Sequence, residues 1–220
     1  MRKTLKSKVL KDIHKRLYGY YGPQGWWPGR TRFEVIVGAI LTQNTAWTNV
    51  EKAISALRRA KLLSPIRMKE ASTATLAALI KPAGYFNVKT KRLKNFVNFL
   101  FERYGGSLAK ASNRPSDILR HELLAVNGIG PETCDSILLY AFKKPVFVVD
   151  AYTKRIFSRH AIVERGAVYQ EIQKLFMDNL RSGERLYNEY HALIVRVGKD
   201  FCRAKARCDR CPLNYLQIYF

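Results

Sequence analysis

Apolar residues recur at helical spacing along almost the whole chain, and that period decides the fold class. Phe33, Ile36, Val37, Ile40 and Leu41 follow the i, i+3, i+4, i+7, i+8 pattern of one helix face. Leu93, Phe96, Val97, Leu100 and Phe101 do the same, and Tyr190, Leu193, Ile194 and Val197 repeat most of it. The single strand-like run, Pro145–Val149, is short and reads as a buried connector. Breaks fall at Gly22–Gly29, Lys81–Gly84, Gly105–Gly106, Asn113–Pro115 and Asn127–Pro131. The pattern predicts an all-α protein of about ten helices. With 220 residues the chain can bury one sizeable core or two small ones. It carries no internal repeat and no low-complexity segment.

One stretch joins two of these periodic segments in a way that points to chemistry. It reads LAVNGIGPETCDSILLYAFKKPVFVVD, residues 124–150. Gly128-Ile129-Gly130 forms a short loop whose two glycines allow a sharp turn and a close approach to another molecule. Pro131 suits the first position of the helix that follows. Loop amides and a helix start facing outward together can hold a phosphate. This is helix–hairpin–helix chemistry for gripping a nucleic-acid backbone, and Asp150 follows close behind it. An aspartate just before Ala151 also suits a helix N-cap, and the two roles are compatible.

Charge agrees with a polyanionic partner. Lys and Arg number 39 against 17 Asp and Glu, a formal net charge of +22. A merely solvated basic surface is the plainer alternative. A membrane surface is also anionic, but no apolar run approaches the roughly 20 residues needed to span a bilayer. The basic N-terminus, MRKTLKSKVLKDIHKRLYGYYG, lacks the continuous apolar core of a signal peptide and reads as a first surface helix. The expectation is a cytoplasmic protein.

Four cysteines divide into one and three. Cys134 stands alone and suits a small core position. Cys202, Cys208 and Cys211 crowd the C-terminus as C-x5-C-x2-C, a clustering that suggests metal more than disulfides in a reduced compartment.

With these residues assembled, the chain resembles the helix–hairpin–helix DNA glycosylases of the endonuclease III superfamily. The resemblance runs from about Trp27 to Pro212. Its anchors, in the family's order, are LTQNT (Leu41–Thr45), AGYFNVKTKR (Ala83–Arg92), NGIGPET (Asn127–Thr133), VVDAYTKRIF (Val148–Phe157) and the tail cysteines. It implies a two-lobed helical fold. A six-helix barrel with the hairpin motif would span residues 30–145, and a second helical lobe would comprise 1–29 and 146–220. A monomer would bind double-stranded DNA containing a damaged base across the cleft between the lobes and flip that base into a pocket.

The resemblance also assigns roles. Asp150 matches the essential aspartate, a fixed carboxylate that stabilises positive charge on the sugar as the glycosidic bond breaks and can activate water. Strand-cutting relatives place a lysine where this chain has Glu132. A carboxylate cannot form the Schiff base, so the resemblance implies a monofunctional enzyme with water as nucleophile. Gln43 and Tyr85 match positions that push into the DNA stack, one filling the gap and the other wedging the opposite strand. Asn127, Gly128, Ile129, Gly130 and Thr133 would bind the backbone.

Trp26, Trp27 and Pro28, with Trp47 four residues after Gln43, look like the 3-methyladenine DNA glycosylase branch. Aromatic faces attract a cationic alkylated purine through contacts worth about 0.5–2 kcal/mol. Tryptophans packed as core are the plainer alternative. Cluster-bearing relatives carry a fourth cysteine where this chain has Gln217. An iron–sulfur cluster, [4Fe-4S] with an incomplete cysteine set on Cys202, Cys208 and Cys211, therefore stands beside a three-iron form, zinc, or a loop without metal. A cluster would brace the basic loop of Arg203, Lys205, Arg207 and Arg210. The alternatives in function are an endonuclease III-like glycosylase for oxidised or mismatched bases and a non-catalytic DNA-binding module.

Overall fold

The computed structural model of the protein describes residues 3–26 and 29–216. Among these residues there is no strand, and twelve α-helices follow one another. They are α1 (Lys3–Tyr21), α2 (Arg32–Leu41), α3 (Trp47–Arg59), α4 (Pro65–Glu70), α5 (Thr73–Ile80) and α6 (Phe86–Tyr104). Then come α7 (Leu108–Ser112), α8 (Ser116–Leu124), α9 (Pro131–Ser136), α10 (Ala151–Arg159), α11 (Tyr169–Asn179) and α12 (Glu184–Asp200). A 3₁₀ turn, Lys81–Ala83, precedes α6, and α9 runs on into a π-helical turn, Ile137–Ala141. The segment around Val146–Val149 is buried coil, as a connector should be.

The chain divides into two compact units, residues 28–144 and residues 1–27 with 145–220. The first holds α2 to α9. Thr31 caps α2 by accepting the Glu34 N–H at 3.1 Å. The apolar stripe read from the sequence is only part of what α2 buries: every residue from Phe33 to Leu41 is covered. Glu34 is buried with them, and its carboxylate accepts from Arg58 Nη2 at 2.7 Å, so the acid is not left bare. Around α2 pack α3, α6 and the π turn. Leu93, Phe96, Val97 and Leu100 of α6 face this core. α6 stops at Gly105, which takes a φ of +61° and returns its N–H to Phe101 O at 2.9 Å.

The second unit is built on α12. Tyr187, Tyr190, Leu193, Ile194 and Val197 are fully buried along it. Phe147 stacks on Phe176 of α11 with centroids 3.8 Å apart, and Tyr187 and Tyr190 meet Phe147 edge-on. α1 is no free surface helix: Leu10, Ile13 and Leu17 are buried, each worth about 1.5–3 kcal/mol. Tyr190 Oη donates to Leu10 O at 2.8 Å and ties α12 to α1.

Candidate active site

Asp150 ends the buried connector and begins α10. Its Oδ1 accepts from the Thr153 N–H at 2.7 Å and from Thr153 Oγ1 at 2.9 Å. This is a helix N-cap with a second donor added, and Thr153 is itself fully buried. The other oxygen, Oδ2, lies 3.6 Å from Nε2 of His191 on α12. Burial pushes the Asp150 carboxyl up, yet His191 and the two Thr153 donors outweigh it and hold the acid below its ordinary range. The site is thus a fixed, ionised carboxylate with little water around it. Thr153 and His191 were not singled out from the sequence. The D-x-x-T spacing could have signalled Thr153, whereas no local pattern links His191 to Asp150.

The hairpin belongs to the other unit. α8 and α9 flank a loop in which Gly128 takes a φ of +95°. A Cβ there would come within 2.3 Å of Arg92 Cγ, so the chain itself requires this glycine. Gly130 differs: its φ is −89° and an added Cβ would meet nothing within 4 Å. Ile129 is buried and anchors the loop, while Asn127 is exposed and its carbonyl accepts from Asn95 Nδ2 at 2.9 Å. Beneath the hairpin, buried Asp135 takes a two-pronged ion pair from Arg120, at 2.7 Å from Nε and 3.1 Å from Nη2. Cys134 is buried as a small core residue, and burial pushes its thiol up to about 12.

Gln43 is engaged at both ends of its amide. Nε2 donates to Gly128 O at 3.0 Å and to Thr133 Oγ1 at 2.8 Å, and Oε1 accepts from Arg92. Gln43 therefore straps the turn after α2 to the hairpin in the structure. Buried Lys89 does similar work one turn away. Its ammonium donates to Leu41 O at 2.7 Å, to Ala83 O at 2.8 Å and to Thr45 Oγ1. Burial, with Arg92 nearby, lowers Lys89 to about 8. These struts hold the LTQNT turn against the turn that presents Tyr85. Tyr85 is 73 % exposed and sits in the left-handed region with φ +45°. A bulky residue held there is strained, and the surroundings fix it with its ring in solvent.

Glu132 is exposed in the first turn of α9. Trp47 opens α3, half-buried, and its Nε1 donates to Glu51 at 2.8 Å. Trp26 is half-buried with the Lys199 ammonium 5.6 Å from its ring centroid. Trp27, Pro28 and Gln217 lie outside the described residues.

The three tail cysteines line a common cavity of about 1080 Å³, with Cys202 and Cys211 buried and Cys208 exposed. Among the described residues, however, no three His, Cys, Asp or Glu side chains gather closely enough to hold a metal ion. Arginines of α10 hold the loop. Arg155 Nε donates to Cys202 O at 2.7 Å, and Arg159 reaches Arg203 O at 2.6 Å and Ala204 O at 2.9 Å. Arg159 also approaches Cys202 Sγ at 3.4 Å. Three thiols do not make the donor set of a four-thiolate cluster. Arg203, Lys205, Arg207 and Arg210 are all exposed.

Among the described residues no helix is long and apolar enough to cross a membrane. Comparison with known proteins gives the family. The model of the HhH-GPD superfamily base excision DNA repair proteins matches residues 37–182. A protein of Methanocaldococcus jannaschii, provisionally named a DNA repair glycosylase, is 50 % identical over 96 % of this chain and 97 % of its own length. Endonuclease III of Sulfolobus acidocaldarius is 31 % identical over 87 % of this chain and 85 % of that one. The crystal structure of the Helicobacter pylori 3-methyladenine DNA glycosylase bound to 1,N6-ethenoadenine is 28 % identical with a TM-score of 0.74, covering 90 % of this chain and 98 % of that one. The chain belongs to the HhH-GPD superfamily of base excision DNA repair proteins and is a DNA glycosylase of that superfamily.

Proposed function

We propose that this glycosylase hydrolyses the N-glycosidic bond of alkylated purines, 3-methyladenine-like lesions, in damaged double-stranded DNA, and that it does so without a covalent intermediate. The observation that carries the reading is Asp150: a largely buried, ionised carboxylate held by Thr153 at the start of α10. As the bond from C1′ to the purine nitrogen breaks, the bonding pair leaves with the base and positive charge builds on the sugar. A fixed carboxylate stabilises that charge without reorganising. Water then adds its oxygen to C1′ and gives up a proton, to Asp150 or to solvent. The product is an abasic site and a free base. A base already carrying positive charge departs neutral and needs no strong acid behind it.

Glu132 supports the hydrolytic assignment, because the first turn of α9 presents an acid where strand-cutting relatives present a lysine. Trp47 is proposed to recognise the damaged base, its aromatic face favouring a cationic purine. The Helicobacter pylori relative, named for 3-methyladenine and bound to 1,N6-ethenoadenine, supports that choice of lesion. Gly130, whose Cβ position is open, is proposed to face the DNA backbone along with exposed Asn127 and the first-turn amides, which lack intrahelical acceptors, whereas Ile129 is buried with its N–H on Val126 O at 3.0 Å. Tyr85 is the proposed wedge. Gln43 joins it once its amide exchanges the hairpin strap for DNA.

The likeness to the Sulfolobus acidocaldarius endonuclease III favours a second reading, an endonuclease III-like glycosylase for oxidised or mismatched bases. A panel of duplexes, each with one defined lesion, separates the two. The proposal expects release of methylated purines and no borohydride-trapped adduct. Release confined to oxidised or mismatched bases, or a trapped adduct in stoichiometric yield, would overturn it.

A further inference from the structure

The partner of Asp150 on α12 has a place in this chemistry. We propose that His191 is a positioning residue for the reaction: its Nε2 edge holds the second oxygen of the Asp150 carboxylate while Thr153 holds the first. This rests on the reading of Asp150 as the group that meets the sugar.

Three observations support it. First, the two oxygens of Asp150 are treated differently. Oδ1 carries both Thr153 donors, and the described partner of Oδ2 is His191 at 3.6 Å. A carboxylate held only at Oδ1 can swing about its terminal torsion, which is a broad, weakly restrained coordinate. A second contact on Oδ2 stops that swing and leaves that oxygen a further lone pair for the sugar. The separation is in ion-pair range and longer than a hydrogen bond, and contacts of this kind commonly tighten only when substrate is bound.

Second, the pairing is built into the helix packing. α10 and α12 approach closely because residue 198 is glycine: a Cβ there would stand 2.4 Å from Tyr152 Cδ1. That close approach sets the depth at which α12 presents His191 to the start of α10. Third, His191 is 4 % exposed and the Asp150 side chain 13 % exposed. A charge in so dry a place needs a compensating neighbour, and its interactions are stronger than in water. His191 and Thr153 together keep the acid below its ordinary range against the opposing effect of burial.

The test uses His191→Leu, which removes the ring nitrogen, His191→Gln, which returns an N–H donor at similar reach, and His191→Asn, which withdraws it. In the free protein the Asp150 carboxyl is followed by ¹³C NMR titration, its signal identified by its loss in Asp150→Asn. Its midpoint should lie below the ordinary aspartate value in wild type and His191→Gln, and should rise in His191→Leu and His191→Asn. In single-turnover assays on dimethyl sulfate-treated duplex, base release should fall about 10- to 100-fold in His191→Leu, as is usual when a group that orients a reacting residue is lost. Affinity for the duplex should stay within about twofold, which marks a loss confined to the reacting step. His191→Gln should recover most of the rate, and Asp150→Asn with His191→Leu should be no slower than Asp150→Asn alone.

Should His191→Leu fail to fold, the contrast between His191→Gln and His191→Asn decides the matter. An unshifted Asp150 titration with wild-type release in the variants, alongside an inactive Asp150→Asn, would overturn the role of His191 alone. Undiminished release by Asp150→Asn would instead overturn the catalytic reading on which it rests.

Discussion

The two glycines of the hairpin should separate folding from DNA grip. Gly128→Ala meets two penalties. Its φ of +95° is a region that L side chains avoid, at about 1–2 kcal/mol. The new methyl would also stand 2.3 Å from Arg92 Cγ, so the Arg92 stem must move. That movement disturbs the Arg92–Gln43 contact and with it the strap from Gln43 to Gly128 O and Thr133. One displaced buried hydrogen bond adds about 1 kcal/mol. The sum is about 2–3 kcal/mol, or roughly 4–12 °C in Tm for a chain of this size. Gly130→Ala has neither penalty: its φ is −89° and the methyl enters open space. Its Tm should stay within about 2 °C of wild type, the usual range for a surface change. The same methyl would stand where a DNA backbone is proposed to approach, so duplex affinity should fall about tenfold. Thermal unfolding and fluorescence-anisotropy titration on one duplex read both quantities. Wild-type affinity in a folded Gly130→Ala, or equal Tm losses in the two variants, would refute the reasoning.

Other expectations follow from the buried charges and the tail. Asp135→Ala removes a fully buried acid and its two-pronged ion pair with Arg120 and should cost about 3–5 kcal/mol, read by denaturant unfolding; a loss under 1 kcal/mol would show that the pair contributes little. Asp150 is held below its ordinary value of 3.8, so the unfolded chain takes up its proton first as pH falls. Its stabilisation is complete above that value and is lost as pH drops through the lower folded one. The stability gap between wild type and Asp150→Asn should therefore narrow on acidification below about pH 4, and a gap independent of pH would contradict this. Because Arg155 and Arg159 hold the cysteine loop through its carbonyls, chelator treatment should leave Tm and base release unchanged, and a fall of several degrees would mean that a metal does the bracing.

Periodicity carried the fold class, since a helix face is a local pattern and the family anchors sit at fixed positions along it. It did not carry the short helices. α4 and α7 have six and five residues, too few for a 3.6-residue repeat to register, so about ten expected helices became twelve. α2 reads as amphipathic yet is buried all round, because the sequence pattern shows which residues want cover and not how much cover the neighbours supply. Asp150 was legible from its place after an apolar run. His191 was not, because the pairing arises from the packing of α10 on α12, which Gly198 permits. Gln43 stands out in the sequence within LTQNT, but its double engagement with Gly128 and Thr133 depends on contacts about 85 to 90 positions away along the chain. The cysteine spacing suggested metal; the arginines that hold the same loop lie some 45 residues earlier, in α10.

The central claim, that one fixed carboxylate lets water remove a methylated purine, is met most directly by comparing wild type with Asp150→Asn on a duplex bearing one methylated purine under single-turnover conditions. Free base should appear with wild type and be slowed at least about 100-fold by the substitution, with duplex affinity retained. Equal rates of base release from the two proteins would contradict it.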